Sequence, residues 1–422
     1  MQVLVVGGGG REHALAWKLA QSPLLTKLWL APGNAGASRM AGKPVERVAI
    51  QPTQIDVLAD FVHGKKIDLT VVGPETPLVL GLADRLHKLG RRVFGPTRDA
   101  ARLEGSKSWA KALCRQHNIP SPDFKVFHAL RAARDYLDRA GSFPLVVKAD
   151  GLAAGKGVRV CMTRPEAEAH LVECFETKAF GEAGQKVVIE EFVKGTESSV
   201  MVLTDGKTLL VLDPARDYKR ARDGDEGPNT GGMGSISPVP LPRETMQRVE
   251  EKILVPTVHA LAREGHPFQG LLYAGLMLTP TGPRVLEYNV RFGDPETQPT
   301  LARLRSDLLP LLIHACDGTL DQAEVEWDPR AAVCVVLASG GYPGPHRTGF
   351  PIHGLDAAEQ EPDVVVFHAG TELKRDEVVT AGGRVLNVVG LGDTVEAAAQ
   401  RAYAAARKIS FEGVSFRTDI GA

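Results

Sequence analysis

The sequence predicts a multidomain protein of mixed α/β and α+β type. It has a doubly wound N-terminal domain, an α+β middle and a small strand-rich C-terminal domain. Three observations predict this. Short apolar strands alternate with helical patterns before residue 100, the signature of a parallel sheet with helices on both faces. A compact strand-and-helix pattern then fills 121–192. After about Trp327 the pattern is mostly strand.

In chain order, strands are expected at 3–6, 27–30, 45–50, 69–72 and 92–94, with helices at 11–21 and 78–89. Gly7–Gly10, Pro32-Gly33-Asn34, Gly73-Pro74-Glu75 and Gly95-Pro96 follow strands. Open α/β sheets bind ligands at such carboxyl ends. A helix at 106–116 runs into Asn118-Ile-Pro120, and proline there marks a boundary. Strands are expected next at 123–127, 144–148, 158–162 and 186–192, with helices at 129–140 and 164–177. Strands at 198–203 and 208–213 lead to a long polar segment, 214–242, which reads as a functional or disordered loop. A helix at 244–264, strands at 270–278 and 284–290 and a helix at 306–316 follow; a helix at 394–409 closes the chain.

The chain has 422 residues, enough to bury large cores without staples. Lys+Arg 50 against Asp+Glu 51 leaves a net charge of −1, and aromatics are 6%. Neither a nucleic-acid surface nor a membrane surface is expected from that balance. No apolar run reaches membrane-spanning length, and the N-terminus lacks the basic lead of a signal peptide. The five cysteines form no CxxC, which fits reduced thiols in a cytoplasmic protein and argues against a zinc site.

The densest chemistry lies in Val285-Leu-Glu-Tyr-Asn-Val-Arg291-Phe-Gly-Asp-Pro-Glu296. Strand alternation puts Glu287, Asn289 and Arg291 on one face. A carboxylate and an amide oxygen two residues apart suit a hard cation, Mg²⁺ or Mn²⁺. The arginine suits a phosphate or a developing anion. A solvated strand edge would carry the same residue types.

Two glycine motifs come close to known fingerprints and fail. Gly7-Gly-Gly-Gly-Arg-Glu-His13 has Glu12 where a dinucleotide loop needs its third glycine. The loop can still hold a single phosphate at a helix N-terminus. Gly151-Leu-Ala-Ala-Gly155-Lys156-Gly157 is one residue short of a P-loop and lacks its hydroxyl. It reads as strand, glycine loop, strand: a flap over a nucleotide, or a plain hairpin.

The segment from Val146 through Lys148 to Gly157 resembles the glycine-rich loop of the ATP-grasp superfamily. Ile189-Glu-Glu-Phe-Val193 is similar to its adenine hinge, and Leu286–Glu296 to its metal-binding strand. The chain is closer still to one family. Gly7–His13, Ala31–Gly36, Val72-Gly-Pro-Glu75, Leu103-Glu-Gly-Ser-Lys107 and Gly227–Gly234 together resemble phosphoribosylamine–glycine ligases, across the whole chain.

The resemblance implies ATP-dependent ligation of glycine to 5-phosphoribosylamine through glycyl phosphate, in purine synthesis, by a monomer. It implies four domains: an N-terminal domain (1–103), a central domain (104–120 and 193–326), a flap subdomain (121–192) and a C-terminal domain (327–422). Lys107, Lys148, Gly155, Lys156 and Gly157 are expected on the ATP phosphates, Glu190, Glu191 and Val193 at the adenine and Glu197 at the ribose. Glu287 and Asn289 are the expected metal ligands, with Arg291, Lys148 and Glu287 as the catalytic set. The aminosugar phosphate is expected at Gly8, Gly9, Arg11, Glu12, Asn34 and Glu75. Glycine is expected near Asp213, Thr230, Gly231, Gly232 and Asp294, although Asp213 and Asp294 read equally as turn caps.

Many ATP-grasp enzymes supply a second metal carboxylate from the preceding strand. Here Leu271–Leu278 carries none. The stretch Asp213-Pro-Ala-Arg-Asp-Tyr-Lys219 also departs from the family's usual form, which leaves its role open. Two alternatives remain at this point: an ATP-grasp ligase acting on another carboxylate, such as a carboxylase subunit, and a catalytically silent nucleotide-binding regulator.

Overall fold

A computed structural model describes residues 1–40, 42–153 and 157–422. The N-terminal sheet has five parallel strands, ordered Val45–Arg47, Lys27–Pro32, Gln2–Gly7, Leu69–Val72, Val93–Phe94. Strand order reverses between Gln2–Gly7 and Leu69–Val72. Ligands enter open sheets at such a switch point, and the loops leaving these two strands carry Gly8–Arg11 and Glu75.

Glu12 explains why the dinucleotide motif fails. Its carboxylate folds back to accept the Gly9 N–H at 2.6 Å, closing a capping box on the helix Gly10–Ala20. Its side chain fills the gap between the strand ends, so a Cβ at Gly7 would stand 2.5 Å from Glu12 Cγ. A pyrophosphate has no room there.

The flap is an antiparallel sheet, ordered Phe124–Phe127, Val187–Glu191, Leu145–Ala149, Val158–Cys161, backed by helices Leu130–Arg139 and Arg164–Phe175. It has a core of its own around Leu137, Val147, Leu171 and Ile189. The central sheet runs Leu209–Val211, Thr196–Thr204, Gly270–Thr279, Gly282–Asn289. Its two faces share cores with the N-terminal sheet: Val200, Leu272 and Val285 pack with Leu4 and Val6, and Met201 and Leu271 pack with Val3 and Val5.

Three expectations need correction. The segment 214–242 is not a plain loop: it contains strands Arg216–Asp217, Arg220–Arg222, Glu226–Asn229 and Gly234–Ser237. Gly234–Ser237 pairs with Ala331–Ala338 and Arg216–Asp217 joins it, so two of these strands belong to the C-terminal five-stranded sheet. The expected central domain, 193–326, therefore donates strands to the expected C-terminal domain, 327–422. Pairing partners a hundred residues away leave no local periodicity to read. The helix expected at 78–89 is broken into Glu75–Val79 and Leu82–Lys88, because Gly81 turns left-handed at φ +90°. Arg291 lies beyond its strand, which ends at Asn289.

The N- and C-terminal domains meet through buried polar groups. His13 Nδ1 accepts the His368 N–H at 2.8 Å, and Asn34 Nδ2 donates to the His368 carbonyl at 2.7 Å. Gly36 sits so close that a Cβ would enter the His13 ring. Burial pushes the His13 imidazole down to about 4, against a hydrogen bond to the Gly36 backbone.

A histidine held neutral in the fold favours the native state fully only above its unfolded value of 6.5. Stability is expected to fall as pH drops from 6.5 to about 4, by on the order of 3 kcal/mol in total. Unfolding free energies measured across that window check this. The wild-type curve should be steeper than that of His13→Asn, and equal slopes would refute the assignment.

Candidate active site

One cleft of about 380 Å³ runs between the flap, the central sheet and the ends of the N- and C-terminal domains. Its inner end is an apolar slot formed by Ala110, Cys114, Leu152, Val285 and Leu286. Glu190 stands in this slot, because Val187–Glu191 alternates and Glu191 faces outward to Arg284 at 2.7 Å. Glu190 Oε2 takes Lys148 Nζ at 3.0 Å and Lys111 Nζ at 3.1 Å. Its Oε1 is buried with no hydrogen-bond partner among the described residues. Lys148 also donates to the Leu286 carbonyl at 2.9 Å, tying the flap to the central sheet.

Mid-cleft, Glu287 and Asn289 line the wall with Lys107, Asp217 and Lys219. Lys219 reaches Glu287 at 3.3 Å and Glu197 at 3.5 Å. Lys219, outweighing burial, holds the Glu287 carboxyl down at about 2. Burial pushes Asp217 up to about 7, opposed by Lys219. The residue paired across from Glu287 is Gly275, where a Cβ would stand 3.1 Å from Glu287 Cγ. A side chain at that position would crowd Glu287, which would have to shift to make room. Among the described residues no cluster of three His, Cys, Asp or Glu side chains is arranged to hold a metal. Any cation here would rest on two protein oxygens and draw the others from water or ligand.

The outer end is a network of charges. Arg291 bonds Glu104 at 2.9 Å and Glu75 at 3.3 Å, and its Nη2 donates to Asn289 Oδ1 at 3.3 Å. Glu104 also accepts the Val290 N–H at 2.7 Å. Burial raises Glu104 to about 7 despite Arg291. For Asp294 burial opposes ionisation, but Arg384 and Arg11 outweigh it and the carboxyl is lowered. Arg384 reaches Asp294 Oδ2 at 3.1 Å and donates to the carbonyls of Gly231 at 2.5 Å and Asp294 at 3.0 Å. It thereby clamps the Thr230 turn onto the central domain.

Of the residues expected from the sequence, Arg11, Glu75, Lys107, Lys148, Gly157, Glu190, Thr230, Gly231, Glu287, Asn289, Arg291 and Asp294 line this cleft. Gly8, Gly9, Glu12, Asn34, Glu191, Val193, Glu197, Asp213 and Gly232 are not in its lining. Several of these have internal duties. Glu12 caps its helix, Asn34 pins the Gly8 carbonyl at 3.0 Å, and Asp213 pairs with Arg303 at 2.8 Å. Gly155 and Lys156 lie outside the described residues.

The sequence reading missed Glu104, Lys111, Asp217, Lys219, Tyr273, Glu296 and Arg384, all of which line the cleft. Lys111 was within reach: it lies four residues after Lys107 on the helix Lys107–Gln116, hence on the same face. Arg384, in the C-terminal domain, gave no local signal.

Comparisons with known proteins agree along the whole length. Models for the phosphoribosylglycinamide synthetase N domain, ATP-grasp (A) domain and C domain match residues 1–104, 105–297 and 332–422. The chain is 51% identical to phosphoribosylamine–glycine ligase of Escherichia coli K12, over 100% of this chain and 98% of that one. The chain belongs to the phosphoribosylamine–glycine ligase family. A relative from Rhodopirellula baltica is 49% identical over 99% of this chain and 96% of its own. The crystal structure of the Thermotoga maritima ligase superposes with a TM-score of 0.86 at 35% identity, covering 99% of this chain and 100% of that chain. A 2-oxoglutarate carboxylase domain from Hydrogenobacter thermophilus shares the fold at 17% identity and TM-score 0.73, covering 98% of this chain and 91% of its own.

The clamp made by Arg384 generates a prediction. Arg384→Ala should lower stability by about 3 kcal/mol, because Asp294 is left buried without its cation. Urea unfolding measures it; a loss below about 1 kcal/mol would mean that the turn holds without the arginine.

Proposed function

We infer that this chain performs its family's reaction, joining glycine to 5-phosphoribosylamine with cleavage of ATP to ADP and phosphate. The product is glycinamide ribonucleotide, an early compound of purine biosynthesis. The observation that carries the reading is the continuity of the cleft. It runs from an apolar slot with an unpartnered acceptor, past lysines and hard oxygen donors, to an end where arginines and carboxylates of the N-terminal, central and C-terminal domains meet.

The residues fit the chemistry in that order. Glu190 Oε1 is an acceptor suited to the exocyclic amine of adenine. Lys148 and Lys107 line the cleft next to this slot and would take the triphosphate. A carboxylate is a poor acyl donor, because oxide is a poor leaving group. Transfer of the γ-phosphoryl group to glycine gives glycyl phosphate, which the sugar amine attacks with release of phosphate. The protein's work is positioning and charge neutralisation. Arg291 stands where negative charge develops, held ready by Glu104 and Glu75. Arg11, Arg384 and Thr230 at the outer end suit the phosphate and hydroxyls of the aminosugar. Closure of the flap would exclude the water that otherwise hydrolyses the acyl phosphate.

Glu287 and Asn289 would hold Mg²⁺ or Mn²⁺. The donor set fits a hard dication: one ionised carboxylate and one amide oxygen, with the carboxylate at present paired to Lys219 at 3.3 Å. When bound, the ion neutralises charge on the β- and γ-phosphates. We place the protein in the cytoplasm as a monomer, in keeping with five unpaired cysteines and an internally completed cleft. No helix among the described residues is long and apolar enough to cross a membrane.

The purified protein should release ADP only when glycine and phosphoribosylamine are both supplied. ADP release that ignores glycine, or that responds better to another small carboxylate, would overturn the reading. Glu287→Gln should lower kcat by at least a hundredfold while the melting temperature stays within a few degrees. That substitution removes a charge and keeps the shape. Near-normal turnover with unchanged Mg²⁺ dependence would remove Glu287 from the metal site.

A further inference from the structure

Glu190 is 2% exposed and its two lysines 5% each, so one carboxylate is buried with two ammonium groups. One counter-ion would neutralise it. The second needs an explanation, because burying a lysine is costly.

The two lysines differ in what else they can reach. Lys148 sits on the flap strand Leu145–Ala149 and points along the cleft toward the Glu287 region, so its charge also bears on Glu287. A triphosphate in the cleft would attract it away from Glu190. Lys111 is fixed on the helix Lys107–Gln116 behind the slot. Beyond Glu190 its nearest acceptor is the Val285 carbonyl at 3.5 Å. Lys111 therefore stays with Glu190 whatever Lys148 does. Burial lowers its amine to about 8, against the pull of Glu190, which fits a lysine enclosed by protein.

We propose that Lys111 is a positioning residue for base selection. It keeps Glu190 charged and oriented once Lys148 turns to the phosphates, so that Glu190 Oε1 remains an acceptor only. An acceptor favours the amine at C6 of adenine and repels the carbonyl oxygen at C6 of hypoxanthine or guanine. A buried carboxylate with no counter-charge takes up a proton. It then becomes a donor at the same place, and discrimination between amine and carbonyl is lost. This inference rests on the reading of the slot as the adenine site.

The experiment compares ATP with ITP, which differs at that position by a carbonyl in place of the amine. Values of kcat/KM are measured for both with glycine and phosphoribosylamine. Dissociation constants for ADP and IDP are measured by calorimetry alongside. In Lys111→Met the preference for the adenine nucleotide should fall at least tenfold in both measurements, with the inosine nucleotide unchanged or improved. Lys111→Arg should keep the wild-type preference. Lys111→Gln keeps a donor without the charge. It should behave as the methionine variant does, and it replaces that variant if the latter does not fold. In Glu190→Gln the preference should already be lost, and adding Lys111→Met should change it no further.

A preference that stays within twofold of wild type in Lys111→Met and Lys111→Gln would overturn the proposal. So would a fall in which both nucleotides weaken equally, since that would mark Lys111 as structural. If the wild-type protein binds ADP selectively but turns over nothing, the ligase reading fails, and the calorimetric preference still decides the role of Lys111.

Discussion

A carboxylate removed from water needs a nearby cation, and the cleft is assembled around that requirement. Glu190 has Lys111 and Lys148; Glu287 has Lys219; Glu104 and Glu75 share Arg291; Asp294 has Arg384. Almost every pair joins different elements, so balancing charge also fixes the relative positions of those elements. Removing either partner of such a pair would leave the other charge stranded in the protein.

Shared cores make this arrangement rigid where it must be. Apolar residues from the two faces of the central sheet join two cores that also hold residues of the N-terminal sheet, and the segment 214–242 supplies two strands of the C-terminal sheet. These three parts form one body around the outer end of the cleft. The described apolar residues of the flap form a core of their own, while the C-terminal sheet keeps a core on one face and shares the other with the N-terminal domain. The flap is tied to the rest mainly by polar contacts, among them Lys148 to the Leu286 carbonyl, Lys107 to the Gly151 carbonyl at 3.0 Å, and Asp150 to Ser106 and Ser108. A unit with its own core can tilt without exposing apolar surface.

What could be read from the sequence follows the range of the interactions involved. Strand alternation placed Glu287 and Asn289 correctly on one wall, because that relation spans two residues. Lys107 and Lys148 stood out beside glycines. The failed dinucleotide motif was legible too, since Glu12 visibly occupies a glycine position. Asn34 and Asp213 lie outside the lining of the cleft and hold internal partners, which the sequence does not tell, because a polar residue at a strand end looks the same whether it faces a ligand or pins a neighbouring loop. Arg384 and Glu104 could not be seen at all. Their importance comes from the residues they meet, Asp294 and Arg291, which lie far away in the chain. Among the strands inside 214–242, Gly234–Ser237 was hidden for the same reason: its ladder is completed by residues after 330.

The likeness to carboxylase domains shows where specificity must reside. At 17% identity the shared property is the fold, and a fold that serves both carboxylation and amide formation does not choose between them. The nucleotide half of the cleft is built from the flap and central sheet. The outer half is built from Arg11 and Glu75 of the N-terminal domain, the Thr230 turn, Asp294 and Arg384 of the C-terminal domain. These residues come from five separate stretches of chain, brought together only by the packing of three domains. An interface can change its side chains without disturbing the sheets that it joins, so the same fold can present different groups at that end of the cleft.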